Sequence, residues 1–147
     1  MYANFLTFKL DMTSALLVDR ANAIYRGRWD LDVRALRVLR LIASCPGVAP
    51  KVIAQRAFIE KTLLSKILGL LESRRLITRR THPVDRRSVA LEATPDGRDI
   101  AETSAKVGVV LESELMAALT ETQRNTLDNI LAVLMDSLLD ETPANLE

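Results

Sequence analysis

The sequence predicts a mainly helical α+β fold, six helices with one short two-stranded hairpin. Three observations carry this. Apolar residues recur at helical spacing in six separate stretches. Two short strand-like runs, 76–81 and 88–93, flank a basic loop with a proline. Strong start signals, Thr94-Pro95-Asp96 and Thr120-Glu121-Thr122-Gln123, open the last two helices. With 147 residues, 48% hydrophobic and 27% charged, the chain has about one domain's length and enough apolar character to bury a core.

Residues 5–26 form the first helix. Leu6, Leu10, Leu17, Ala21 and Ile24 make its stripe, Phe5, Phe8, Met12 and Leu16 widen it, and Gly27 is placed to end it. The second helix starts at Asp30 or Asp32, either of which can cap it, and runs through Leu36, Leu39 and Ile42. Pro46-Gly47 stops it. Pro50 suits the first turn of a short third helix carried by Val52, Ile53 and Ala57.

After Phe58-Ile59-Glu60, a fourth helix runs from about Lys61 to Arg74. Its inner stripe is Leu64, Ile67, Leu68 and Leu71; its outer face is Thr62, Ser65, Lys66, Gly69 and Ser73. Two strands follow, 76–81 and 88–93, the second with Val89, Leu91 and Ala93 on one face. The fifth helix reaches about Leu119 on a stripe of Val107, Val110, Leu111, Leu115 and Ala118. The sixth carries Leu127, Ile130, Leu131, Leu134 and Leu138, and the tail after Asp140 frays. Helix, tight turn, helix, then a hairpin with an arginine-rich tip is the order of a winged helix-turn-helix.

The net charge of +1 hides a gradient of +3 over residues 1–50, +6 over 51–98 and −8 over 99–147. A basic middle suits an anionic partner, and the acidic end serves another purpose. One cysteine, Cys45, excludes an internal disulfide framework and fits a reducing compartment. One cysteine and one histidine, His82, cannot build a zinc cluster within one chain. No apolar run approaches the roughly 18 residues of a spanning helix, and the first residues lack a signal-peptide pattern. A cytoplasmic protein is the expectation.

The stretch from Asp85 to Gly97 resembles the wing signature of the multiple-antibiotic-resistance regulator (MarR) family. There an Asp-x-Arg at the wing tip precedes a strand ending in Leu-Thr and then a glycine. Asp85, Arg87, Thr94 and Gly97 match in spacing, with Ala93 where leucine is usual. Residues 62–77 are similar to that family's recognition helix running into the first wing strand, including Leu71-Glu72 and Leu76-Ile77. The order of six helices and one hairpin matches over nearly the whole chain. Phe58 and Arg75 depart from it, standing where glycine is common and requiring strain or another turn. Leu63 and Leu70 replace frequent polar residues, which reduces direct base readout.

The resemblance implies a homodimeric transcriptional regulator, a repressor on a pseudo-palindromic operator, in one MarR-like domain spanning 1–147. The winged lobe would be 31–98, with dimerisation helices at 1–28 and 99–140. Double-stranded DNA would meet Lys61, Thr62, Ser65, Lys66 and Arg79 on the helix and first strand, and Arg86 and Arg87 at the wing tip. Asp85 would orient one of the wing arginines. Arg79 and Arg80 would be split between phosphate and solvent. The apolar stripes of the two ends need a partner surface, and Leu6, Leu10, Leu127, Ile130, Leu131 and Leu134 are its expected residues in a second copy of the chain.

The resemblance further implies release by a small aromatic or anionic effector. Arg20, Arg26, Arg28 and Arg40 are available to it, and the sequence does not choose among them. No cofactor or metal is expected, and no membrane partner. Cys45 reads as a buried small hydrophobe, because no Lys, Arg or His adjoins it in sequence; the alternative is a redox-sensing thiol. His82 reads as a hairpin-loop residue and Trp29 as a packing anchor. Two other classes stand beside the regulator. One is a winged protein-interaction module that binds no DNA. The other is an enzyme, against which one histidine and five glycines furnish no phosphate loop and no Ser-His-Asp set.

Overall fold

The computed structural model describes residues 4–140. Four helices come first: α1 (Leu6–Trp29), α2 (Val33–Ser44), α3 (Pro50–Ala57) and α4 (Lys61–Ser73). Strands β1 (Ile77–Thr81) and β2 (Val89–Ala93) follow, then α5 (Pro95–Leu115) and α6 (Glu121–Asp140). This is the expected set of six helices and one hairpin; the expected fraying after Asp140 lies outside the described residues. The chain divides into two units, Met1–Val109 and Val110–Glu147.

In the first unit α2 organises the core. Its Ala35, Leu36, Val38, Leu39 and Ile42 are buried, and around them lie Leu31, Ile53, Leu71, Ile77 and Leu91 with almost no exposed surface. Each buried leucine or isoleucine stabilises by about 2 kcal/mol, so this cluster is what fixes α3, α4 and the hairpin on α2. Asp32, of the two candidate aspartates, caps α2: its Oδ1 accepts from the Ala35 N–H at 2.8 Å. Asp30 instead ends α1, at φ 52° with its N–H on the Arg26 carbonyl. Helix α1 therefore passes through Gly27 rather than stopping there. A glycine is tolerated within a helix, and the left-handed turn falls on an aspartate, a residue that adopts it more readily than most.

Helices α3 and α4 also end on left-handed residues, Phe58 at φ 51° and Arg75 at φ 57°. The N–H of Leu76 reaches the Leu71 carbonyl and that of Arg75 the Glu72 carbonyl, both at 2.9 Å, closing α4 in a Schellman turn. The two positions where glycine was expected thus keep the glycine-type turn.

The hairpin pairs antiparallel, from Ile77 opposite Ala93 to Thr81 opposite Val89. Leu91 and Ala93 are buried as the alternation requires, and Ala90 is buried as well. A further bridge that the sequence pattern did not reveal joins Val48 to Leu91, through Gly47 N–H to the Leu91 carbonyl at 2.8 Å and Leu91 N–H to the Val48 carbonyl at 2.9 Å.

Thr94 locks the hairpin to α5. Its hydroxyl donates to the Arg75 carbonyl at 2.8 Å and accepts from the Gly97 N–H at 3.1 Å. Gly97 lies so close to β1's entry that an added Cβ would sit 2.0 Å from the Leu76 carbonyl oxygen. That approach sets which face of α5 turns inward. The buried residues are Gly97, Ala101 and Ser104, not the expected stripe: Val107 is half-buried and Val110 exposed. The outer surface of α1 in this unit leaves Leu6 76% and Leu10 45% exposed.

In the second unit α5 ends at Leu115, earlier than expected, and a turn leads to Thr120. The capping box forms: Gln123 N–H reaches Thr120 Oγ1 at 3.2 Å and Thr120 N–H reaches Gln123 Oε1 at 3.0 Å. Arg124 pairs with Glu112 at 3.1 Å. No residue of α6 is buried; Ile130, Leu131 and Leu134 are exposed and Leu127 is half-buried. Among the described residues no helix is long and apolar enough to cross a membrane.

Candidate nucleic-acid interface

Burying Leu64, Ile67, Leu68 and Leu71 fixes the rotation of α4. The opposite face then carries Lys61, Thr62, Ser65 and Lys66, all exposed. Leu63 is half-buried and Leu70 is 43% exposed, so the two departures from a polar face fall at its margins.

The wing tip is held by its own polar groups. The His82 N–H donates to the Ser88 carbonyl and the Ser88 N–H to the Asp85 carbonyl, both at 3.0 Å. Asp85 Oδ1 accepts from the Arg87 N–H at 3.0 Å. The carboxylate therefore orients the main chain of Arg87. His82 Nδ1 accepts the N–H groups of Val84, at 3.2 Å, and Asp85, at 3.1 Å.

The basic residues separate into two groups. Arg79 pairs with Glu72 of α4, and Arg80 pairs with Glu92 across the hairpin. Both acidic partners escaped the sequence reading. Thr78 faces Glu92 in the register, so Arg80 reaches Glu92 diagonally, a contact visible only once the register is known. Lys61, Lys66, Arg86 and Arg87 make no ion pair with another described residue. Of the five cations expected to meet DNA, four are thus uncommitted, two on the helix and two on the wing, while Arg79 is already engaged.

Elsewhere in the first unit, the four arginines considered as anion partners differ sharply. Arg26 lies 3.8 Å from Asp32 at the surface, and Arg28 stacks over Trp29 at 5.1 Å. Arg20 is exposed. Arg40 alone turns inward: its Nε donates to Ser104 Oγ at 3.2 Å, its guanidinium lies 5.6 Å from the Tyr25 ring centre, and its Nη2 is buried with no hydrogen-bond partner. Tyr25 and Ser104 are themselves buried. Cys45 is half-exposed rather than buried, and Arg56, eleven residues on, donates to its Sγ at 3.3 Å. The cation was invisible in sequence because α3 brings it back across the turn.

Comparison with known proteins agrees with this architecture. A model of the MarR family matches residues 29–88. A candidate transcriptional regulatory protein for the hcr operon of Thauera aromatica is 32% identical over 110 residues, covering 74% of this chain; the chain spans 64% of that relative's length. The transcriptional regulator HosA of Escherichia coli O111:H- is 24% identical over 118 residues, covering 77% of this chain and 87% of the relative. A crystal structure of mutant MarR from Escherichia coli complexed with operator DNA superposes with a TM-score of 0.80 at 25% identity, covering 88% of this chain and 92% of that one. The wing motif, the winged helix-turn-helix and these likenesses agree: residues 29–88 match the MarR family model, and the chain is similar in fold to a solved MarR.

Proposed function

We propose that the protein is a DNA-binding transcriptional regulator, a repressor, that acts as a homodimer on a pseudo-palindromic duplex. The observation that carries this is the placement of Lys61 and Lys66 on the outer face of α4, and of Arg86 and Arg87 on the wing, without acidic partners. Phosphates replace water around such cations with release of counterions, so affinity falls steeply with salt. Thr62 and Ser65 supply neutral donors and acceptors where base edges would lie in a major groove. The wing arginines suit the flanking minor groove. Titration of the protein with random and selected duplexes at two salt concentrations tests the reading. A steep salt slope with a preferred sequence supports it, and no duplex binding overturns it.

Release by a small aromatic or anionic ligand belongs to the same proposal, and Arg40 is the arginine that supports it. A guanidinium with one buried, unpartnered nitrogen is destabilising until an anion meets it. Aromatic carboxylates should raise the melting temperature of the wild type and not of Arg40→Met.

A second reading, a redox response at Cys45, is favoured by the Arg56 contact on a half-exposed thiol. Peroxide that releases the wild type from DNA, but not Cys45→Ser, would establish it.

A further inference from the structure

The wing tip rests on an imidazole used as an acceptor. The main-chain N–H groups of Val84 and Asp85 both point at His82 Nδ1, at 3.2 Å and 3.1 Å. That nitrogen has one lone pair, available only when the ring is neutral and its proton sits on Nε2. The same Asp85 whose N–H is held by His82 accepts the Arg87 N–H through its carboxylate and the Ser88 N–H through its carbonyl. A chain of contacts thus runs from the His82 ring through Asp85 to the main chain that carries Arg86 and Arg87.

We infer that His82 is a positioning residue of the wing, holding the two tip arginines for DNA in its neutral form and releasing them when it is protonated. Protonation turns Nδ1 into a donor facing two donors, so both contacts are lost together. The sign follows from that geometry: the ordered tip favours neutral imidazole, and order is lost as pH falls. The charged groups of the hairpin are Asp85, Arg86 and Arg87 at the tip and Arg79 on β1, which pairs with Glu72 of α4. Arg80 on β1 and Glu92 on β2 pair with each other. The inference rests on the DNA-binding reading for its consequence, though not for the clasp itself.

Two variants separate position from mere folding. His82→Asn keeps a side-chain oxygen able to accept from the N–H groups two and three residues on, without a titrating group. His82→Ala removes the acceptor. At pH 8, His82→Ala should bind a selected duplex about tenfold more weakly, as loss of a wing arginine would, and His82→Asn within about twofold of wild type. Between pH 8 and pH 5.5 the wild type should lose affinity about fivefold relative to His82→Asn, a ratio that cancels every other titration. In the free protein, imidazole nitrogen shifts should report Nδ1 as the acceptor, and the Val84 and Asp85 amides should exchange faster at low pH in the wild type alone. Parallel pH profiles of the wild type and His82→Asn, with unaltered amide exchange, would overturn the inference. Absence of any duplex binding would instead overturn the DNA reading, and the amide and imidazole measurements would still decide the clasp.

Discussion

Three helices of this chain end on residues that are not glycine, Asp30, Phe58 and Arg75, all with φ between 51° and 57°. For a side chain with a Cβ that conformation costs about 1–2 kcal/mol, and aspartate recovers some of it through local hydrogen bonding. Phe58 has no such compensation and is 91% exposed, so its ring gains nothing from burial. Phe58→Gly should therefore stabilise the fold by about 1 kcal/mol in chemical denaturation, with the midpoint rising and the slope unchanged. An unchanged or lower midpoint would mean that the phenyl ring makes a stabilising contact.

Gly97 is the opposite case. It sits in ordinary helix, yet a Cβ there would meet the Leu76 carbonyl at 2.0 Å, a backbone atom that cannot turn aside. Gly97→Ala should cost about 2–3 kcal/mol and loosen the hairpin from α5, because the Thr94 contacts depend on the same approach. Hydrogen exchange at Gly97 and Leu76 would show it. The sequence offered Phe58, Arg75 and Gly97 as matches or departures from a pattern. Their physical reasons became visible only with φ angles and the distance between two segments far apart in the chain.

At the scale of elements, α4 and the wing should divide the work of recognition. Arg87 stands on the hairpin tip, its main chain fixed by Asp85 and its side chain without an acidic partner. Arg87→Ala should weaken duplex binding by roughly 1–3 kcal/mol and lower the salt slope by about one unit, with little change in preference among major-groove variants. Ser65 lies on the exposed face of α4, so Ser65→Ala should alter which bases are preferred and leave the slope nearly intact. Affinity for one duplex and its single-base variants at several salt concentrations checks both. Arg79 offers a contrast: because Glu72 already holds it, Arg79→Ala should change the slope less than Arg87→Ala.

The order and the starts of these elements were readable because each carries its own periodicity and caps. Asp32, Pro50 and the Thr120–Gln123 box all stand where the local chemistry places them. The Val48 bridge, the Glu92 partner of Arg80 and the Arg56 contact with Cys45 were not readable. Each joins residues whose separation in sequence carries no local signal. The inward face of α5 was misread for a related reason. Hydrophobicity marks Val107 and Val110, whereas close packing against a carbonyl selects the small residues Gly97, Ala101 and Ser104.

For the whole molecule the open question is what covers the ends of the chain. A twenty-residue helix with no buried side chain, as α6 is, has little to stabilise it beyond its capping box and surface pairs. In α6, Val133, Leu134, Met135, Leu138 and Leu139 are all more than two-fifths exposed, as are Leu6, Phe8 and Leu10 on α1. Apolar surface of that extent on a soluble monomer would favour association, and closed association of identical chains is most often twofold. Two copies joined this way would also set two basic winged lobes on one duplex, each raising the local concentration of the other. Replacing Leu131 and Leu134 together by aspartate should thus dissociate the protein at micromolar concentration and lower affinity for a two-half-site duplex by at least about a hundredfold. A single half-site should be bound nearly as before, provided circular dichroism shows the helices intact. Sedimentation of the wild type decides the premise: a dimer is expected down to micromolar concentration, and a compact monomer at high concentration would mean that the chain covers these faces by itself.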